Sequence, residues 1–340
     1  MKYKPLGNTG LYVSEMTFGT MTFNGKGTKL GGMIGETDQA HADRLVKLAL
    51  DAGINLFDTA NGYGQGDSEI ILGKALKASG VTREDYLIAT KIFMPMGGSI
   101  NSLGLSRLSV LREVDKCLER LDTNYIDLFQ AHGFDTSTPI EETFKAFDSL
   151  IKSGKVRYIG LSNFAAWQII QSQSIAEKFG LEKFCSAQIY YSLVGREVER
   201  EILPAIREMN LGTLVWSPLA GGFLTGKYSG GNATSTSRRK TFEFPPVDKA
   251  KGEKVVEILK YIARKHGHTE AQIALAWLLH KPDVTSVIIG ATKEEQLIAN
   301  IKATQIELSC AEMRELDAVS ELVPEYPNWA RPPKRGDKMI

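Results

Sequence analysis

Four polar side chains close or follow apolar stretches that would otherwise be buried. Asp58 lies at the end of Ile54–Thr59, Lys91 ends Tyr86–Lys91, and His132 ends Ile126–His132. Tyr63 follows Asp58 in the loop Asn61-Gly62-Tyr63-Gly64. A lysine at the end of a buried strand costs several kcal/mol unless a carboxylate pairs with it, and Asp58 is the nearest candidate. A free phenol has a pKa of about 10, too high for efficient proton transfer at neutral pH. An ammonium beside it favours the phenolate, so Lys91 is expected to pull Tyr63 down. Asp58 would keep that ammonium charged, and His132 could donate a hydrogen bond to a carbonyl oxygen. Together they suit proton transfer to an oxygen whose carbon receives a hydride. Singly, each has an ordinary reading: Asp58 as a turn cap, Tyr63 as an edge residue, Lys91 reaching solvent, His132 as a satisfied core histidine.

Such side chains meet only if the strands that carry them converge. Eight apolar runs of strand length occur: Glu15–Thr20, Ile54–Thr59, Tyr86–Lys91, Ile126–His132, Val156–Ser162, Cys185–Tyr190, Gly212–Ser217 and Val284–Gly290. They do not alternate, which means burial on both faces and a parallel sheet covered by helices. Helix-period segments separate them. Ala40–Ala52 has Gly53 at its end, Ser68–Ala78 ends at Gly80, and Val110–Leu121 carries a spaced apolar stripe. Pro139–Ser153 opens with Pro139, Glu141 and Glu142, and Thr269–Gln272 fits a capping box. Eight β-α units predict an α/β fold, the (β/α)8 TIM barrel, as a single domain over residues 1–340. A doubly wound sheet fits less well, because no G-x-G-x-x-G turn follows the first strand. Tyr3–Val13, with its turn at Gly7–Gly10, predicts an N-terminal β-hairpin plugging one barrel end. Three long loops follow strand C-termini, at residues 24–35, 94–105 and 229–246, which places them on the catalytic face. A C-terminal helix and the tail Pro324–Ile340 complete the chain.

Composition narrows the partners. Forty-one Lys and Arg balance 40 Asp and Glu among 340 residues, for a net charge of +1. That gives no electrostatic case for nucleic acid or an anionic membrane surface. No apolar run reaches the roughly 18 residues of a membrane span, and the first residues lack a signal-peptide pattern. Cys117, Cys185 and Cys310 are far apart, so isolated buried thiols and a cytoplasmic location are expected. His266 and His268 form an H-x-H, but the remaining histidines do not complete a metal site, so no metal is expected. Nothing in the composition sets an oligomeric state.

The chain resembles the aldo-keto reductases along nearly its whole length. The matching segments are LGNTGLYVSEMTFGTM, FDTANGYG, IATK, DLFQAH, GLSNF, SAQIYYS, LVWSPLAGGFLTGKY and IIGATKEEQLIANI, in order at barrel spacing. The resemblance implies a nicotinamide cofactor bound without a Rossmann domain, carbonyl–alcohol interconversion, and a catalytic tetrad on Asp58, Tyr63, Lys91 and His132 with Tyr63 as general acid. It further implies that Ser162, Asn163 and Gln188 hydrogen-bond the carboxamide and that Trp216 stacks on the nicotinamide. Ser217, Leu219 and Gly221 would wrap the pyrophosphate, and Gln296 and Asn300 would contact the adenosine. In some members a Lys-Ser pair after the last strand holds the 2′-phosphate. Here those positions are Gly290 and Ala291. In the potassium-channel β-subunit branch a Lys in GKY and a later Arg do so, and Lys227 and Arg238 match, with Thr292 as a third ligand and Lys293 nearby. NADPH is therefore expected over NADH, with a small-molecule carbonyl substrate. Phe23, Phe93, Phe134 and Trp167 are expected to line its pocket. The alternative is a slowly turning over nicotinamide-binding regulatory subunit that senses redox state.

Overall fold

Each of the eight unalternated apolar runs becomes one strand of a closed parallel barrel. The computed structural model describes residues 1–25, 29–227, 239 and 242–330. Strands β1 (Tyr3–Pro5) and β2 (Tyr12–Ser14) pair as an antiparallel hairpin, with Tyr3 opposite Ser14 and Pro5 opposite Tyr12. The barrel strands are β3 (Met16–Gly19), β4 (Leu56–Asp58), β5 (Leu87–Ile92), β6 (Ile126–Ala131), β7 (Val156–Ser162), β8 (Ser186–Tyr190), β9 (Gly212–Trp216) and β10 (Ser286–Ile289). They close in the order β10-β3-β4-β5-β6-β7-β8-β9.

The helices that cover them are α1 (Lys29–Ile34), α2 (Gln39–Asp51), α3 (Asp67–Ala78), α4 (Arg107–Leu121), α5 (Ile140–Lys152), α6 (Ala166–Lys178), α7 (Ile202–Glu208), α8 (Lys249–His266), α9 (Glu270–Leu279), α10 (Glu294–Ile301) and α11 (Cys310–Val319). Local chemistry sets their ends. Asp38 accepts from the His41 N–H at 2.9 Å to start α2, and Gly53 turns left-handed just beyond its end (φ 85°). The capping box at α9 is reciprocal: Gln272 N–H donates to Thr269 Oγ1 at 3.3 Å, and Thr269 N–H to Gln272 Oε1 at 2.9 Å. The glycine-rich segment 24–35 is not wholly a loop, because α1 lies in it. Burial of Ile34, only 6% exposed, outweighs the poor helix propensity of Gly31 and Gly32.

The barrel interior changes character along its axis. At the N-terminal end Leu56, Ala89, Leu128 and Leu214 form an apolar layer, joined by Leu6 and Val13 of the hairpin. The hairpin therefore plugs this end, as expected. Its seat depends on Gly7 (φ 61°), where a Cβ would lie 2.4 Å from the Cys185 carbonyl oxygen. Nearer the C-terminal end, Asp58, Lys91, Gln130 and Gln188 point into the same barrel and replace aliphatic packing with polar groups. Cys117 and Cys185 are buried isolated thiols, whereas Cys310 departs from expectation and is exposed at the start of α11. No described helix is long and apolar enough to cross a membrane.

Candidate active site

Strand register brings the polar layer together. Asp58 is the last residue of β4, Lys91 stands opposite Gln130 across β5 and β6, and Ser162 stands opposite Gln188 across β7 and β8. The two-residue period of a strand, with these registers, turns them toward the barrel axis. Lys91 Nζ donates to Asp58 Oδ2 at 2.5 Å and to the Thr59 carbonyl at 2.7 Å. Asp58 Oδ1 accepts from Gln188 Nε2 at 2.8 Å and from Gln130 Nε2 at 3.2 Å. Burial disfavours the Lys91 ammonium, but Asp58 and the Tyr63 hydroxyl outweigh it and hold the pKa above its ordinary value. The lysine is thus a fixed positive charge with no exposed surface.

Gln130 was not singled out from sequence, although an amide inside the apolar run of β6 was a usable signal. Room for it depends on Gly160, its neighbour on β7, where a Cβ would approach Gln130 Cγ to 3.2 Å and Ser186 Oγ to 2.5 Å. Gln188 lines the cleft as expected, yet its amide nitrogen is committed to Asp58, which leaves its oxygen as the group for a ligand.

Tyr63 opens a tight turn, Tyr63–Gly66, in which Gly64 (φ 57°), Gln65 (φ 57°) and Gly66 (φ 103°) are all left-handed. This turn delivers the phenol to the polar layer. The Tyr63 and His132 rings meet edge to face at 5.7 Å, and Lys91 Nζ lies 5.1 Å from the Tyr63 ring centroid. The pKa expectation needs correction. Burial raises the Tyr63 phenol, Lys91 lowers it, and burial prevails, so the phenol sits above its ordinary value. The sequence shows the cation but not the surrounding protein that partly desolvates the phenol, which lies half-buried at the cleft.

His132 is pushed down to about 3 by burial first and by the Lys91 charge second. It is a neutral imidazole, able to donate one hydrogen bond and accept another. The folded pKa lies below the unfolded one, so protonating His132 opposes folding, increasingly as pH falls from the unfolded value toward about 3. In an NMR titration the His132 ring is expected to stay neutral between about pH 8 and pH 5. A His132 midpoint near its unperturbed value would contradict this environment.

Asn163 (φ 59°) joins the histidine to the aromatic floor. Its Nδ2 donates to the His132 carbonyl at 3.0 Å, and its Oδ1 accepts from Trp216 Nε1 at 3.2 Å. It does not cap α6, whose first turn begins at Ala166. Trp216 packs against the apolar layer of the barrel interior and also reaches the cleft. It ends β9 at the cleft, with Tyr190 (5.0 Å, 34°) and Phe244 (5.7 Å, 8°) as ring neighbours.

These groups open into one cleft of about 1620 Å³. Asp58, Tyr63 and His132 line one part, with Ser162, Asn163, Gln188 and Trp216. The lining continues over Ser217, Leu219 and Gly221 to Lys227, Gly290, Thr292, Lys293, Gln296 and Asn300. Lys91 lies beneath it, fully buried. Ser217 (φ 51°), Ala220 (φ 49°), Gly221 (φ 64°) and Gly222 (φ 89°) turn the chain left-handed beside the cleft, a curvature that suits backbone N–H groups to an anion. The buried Ser162 Oγ and His132 Nδ1 have no hydrogen-bond partner among the described residues. An elongated cleft, open polar atoms beside an aromatic floor and a curved backbone fit a dinucleotide. Arg238 lies outside the described residues, as does most of segment 229–246.

Other expectations fail on geometry. Phe23, Phe93, Phe134 and Trp167 do not line the cleft. Phe23 is wholly buried in the core, and Phe134 packs on Phe164 and Trp167 at 5.2 Å and 5.8 Å. Met21, Gln65, Met94 and Pro95 stand on the rim instead. His266 pairs with Glu312 at 3.0 Å and stacks on His268 at 6.3 Å. Among the described residues no group of three or more His, Cys, Asp or Glu is arranged to hold a metal.

A parallel barrel whose strand ends gather a buried amine–carboxylate pair, a phenol and a neutral imidazole at one cleft is the scaffold of a cofactor-dependent barrel oxidoreductase. The chain belongs to the aldo/keto reductase family, whose model matches residues 15–321. It is similar to an uncharacterized oxidoreductase of Bacillus subtilis, 40% identical over 94% of this chain and 96% of the relative. It is 37% identical to the "Probable voltage-gated potassium channel subunit beta" of Oryza sativa subsp. japonica, over 90% of this chain and 92% of that one. Versiconal hemiacetal acetate reductase of Aspergillus parasiticus is 33% identical, over 93% and 96%. The protein is thus an NAD(P)H-dependent oxidoreductase.

Proposed function

We propose that the protein reduces aldehydes or ketones to alcohols with NADPH, using Tyr63 as the general acid. The observation that supports this best is the buried Lys91–Asp58 pair beside Tyr63, with neutral His132 against the same ring. When bound, the reduced nicotinamide supplies the hydride. Ser162, Asn163 and Gln188 would hold its carboxamide and Trp216 its ring, while Ser217, Leu219 and Gly221 would follow the pyrophosphate and Gln296 and Asn300 the adenosine. His132 donates a hydrogen bond to the substrate oxygen and orients the carbonyl. Tyr63 Oη gives its proton to that oxygen as the carbon is reduced. Lys91 stabilises the resulting phenolate, Asp58 holds Lys91 charged, and the phenolate regains a proton from solvent.

The raised Tyr63 pKa sets a direction. The phenol remains protonated through neutral and mildly alkaline pH, so carbonyl reduction is expected to stay level there. Alcohol oxidation needs the phenolate and is expected to rise with pH without a plateau below about pH 10. A plateau for oxidation near neutrality would contradict this assignment.

Selection of NADPH would rest on exposed Lys227, with Thr292, Lys293 and Arg238, around the 2′-phosphate. Removing one charged hydrogen-bond donor costs about 1.5–3 kcal/mol. Lys227→Ala is therefore expected to weaken NADPH binding by roughly tenfold or more and to leave NADH binding almost unchanged. Equal affinity of the unmodified protein for both cofactors, or equal losses in the variant, would refute the 2′-phosphate role.

Similarity to the channel-subunit relative favours one second reading, a nicotinamide-binding regulatory subunit with slow turnover. Cofactor retained through gel filtration, with negligible turnover on a panel of aromatic and short-chain aldehydes, would support it. Rapid turnover would remove it.

A further inference from the structure

The turn that carries Tyr63 has three successive left-handed residues, Gly64, Gln65 and Gly66, one of them not glycine. Such a conformation persists when its surroundings hold it. One tether lies before the turn. Asn61 N–H donates to the Lys91 carbonyl at 3.0 Å, and Asn61 Nδ2 reaches Glu113 Oε2 on α4 at 3.4 Å. The other lies after it, at Glu69 in the first turn of α3.

Glu69 is wholly buried. Its Oε1 accepts from Thr90 Oγ1 at 2.6 Å, and its Oε2 accepts from Arg120 Nε at 2.6 Å. Thr90 immediately precedes Lys91 on β5. The two side chains leave opposite faces of the strand, Lys91 into the barrel toward Tyr63 and Thr90 outward to Glu69. Arg120, from α4, packs against the turn itself: a Cβ on Gly66 would lie 2.7 Å from Arg120 Cδ. The chain from Asn61 to Glu69, which contains Tyr63, is thus tied at both ends to one two-residue segment of β5, with Arg120 against its last turn residue. Burial of a carboxylate is costly unless it is paired and hydrogen-bonded. Two strong hydrogen bonds meet that need and give the clamp a defined geometry.

We propose that Glu69, with Thr90 and Arg120, is a positioning triad that sets the distance and orientation of the Tyr63 phenol relative to Lys91. None of the three touches the cleft. The inference rests on Tyr63 being the proton donor. It differs from a purely structural role in what it predicts for the chemical step. Misplacing a reacting group by about 1 Å can cost on the order of 10²-fold in rate.

The test is steady-state kinetics of carbonyl reduction by the full-length protein with saturating NADPH, alongside cofactor Kd and thermal denaturation. Thr90→Val keeps the shape and removes the hydroxyl, and it is expected to lower kcat by about tenfold or more with KM and cofactor Kd within error of the unmodified enzyme. Thr90→Ser restores the hydroxyl and is expected to recover most of kcat. Glu69→Gln, which unbalances Arg120, is expected to fall further in kcat. A Thr90→Val variant with a lower melting temperature but unchanged kcat would overturn the positioning role. So would a loss of kcat that Thr90→Ser fails to recover. Tyr63→Phe, run in parallel, separates the two ideas. If that variant keeps its activity, the general-acid reading fails. If it is inactive while Thr90→Val and Glu69→Gln keep full kcat, only the triad fails.

Discussion

Tyr63→Phe is expected to lower kcat for carbonyl reduction by about 10²- to 10⁴-fold, the range assigned to a positioned general acid, while leaving cofactor affinity close to that of the unmodified protein. The substitution removes one oxygen and little else. The ring keeps its edge contact with His132 at 5.7 Å and its place 5.1 Å from Lys91 Nζ. Lys91 keeps Asp58 and the Thr59 carbonyl as partners, so no buried charge is orphaned. The loss should therefore appear in kcat and not in stability, measured by cofactor absorbance under single-turnover and steady-state conditions. Retention of most of the activity would place the proton donor elsewhere in the cleft.

Lys91→Met has a different signature, because it damages both stability and rate. The lysine side chain has no exposed surface and the Asp58 side chain is only 4% exposed. Removing one partner of a buried pair leaves a charge without compensation, at a cost of about 3–5 kcal/mol. Gln130 and Gln188 still donate to Asp58, but neutral amides do not balance its charge. The companion variant Asp58→Asn with Lys91→Met removes both charges. It is expected to recover most of the lost stability in urea unfolding and none of the activity, since the phenolate then has no cation beside it. A double variant as unstable as the two single losses combined would show that the pair contributes little beyond its separate packing.

Much of the fold was legible because a parallel barrel leaves a plain trace in sequence. Burial on both faces forces near-continuous apolar runs such as IDLFQA in β6, and the crossover helices between them carry their own caps, as at Asp38 and Thr269. The candidate site was legible for the same reason. Asp58 and Lys91 fall at the C-terminal ends of apolar strands and His132 directly follows one, and polar groups in such places need an explanation. Rim residues were not legible. Phe23 and Phe134 are apolar in loops next to strand ends, and sequence does not say whether an aromatic there faces the cleft or the core. Phe23 joins the core, edge-on to Phe18 at 5.8 Å.

Sequence by itself determined the eight-unit barrel, the hairpin at its base, the family, and the identity of the polar groups at the strand ends. Those properties depend on residue type and spacing along the chain. Tertiary structure alone decided the balance of forces among these groups. The Lys91 ammonium acts on Tyr63 in the direction its charge requires, yet burial by surrounding strands prevails and raises the phenol. Gln188, which could have faced a ligand with either end of its amide, turns its nitrogen to Asp58. Thr90, an ordinary strand residue in sequence, connects through Glu69 to the turn that carries Tyr63. Desolvation and hydrogen-bond partnership both depend on what surrounds an atom in three dimensions. Their contributors come from residues such as Gln130, Glu69 and Arg120, distant along the chain and neighbours only once the barrel has closed.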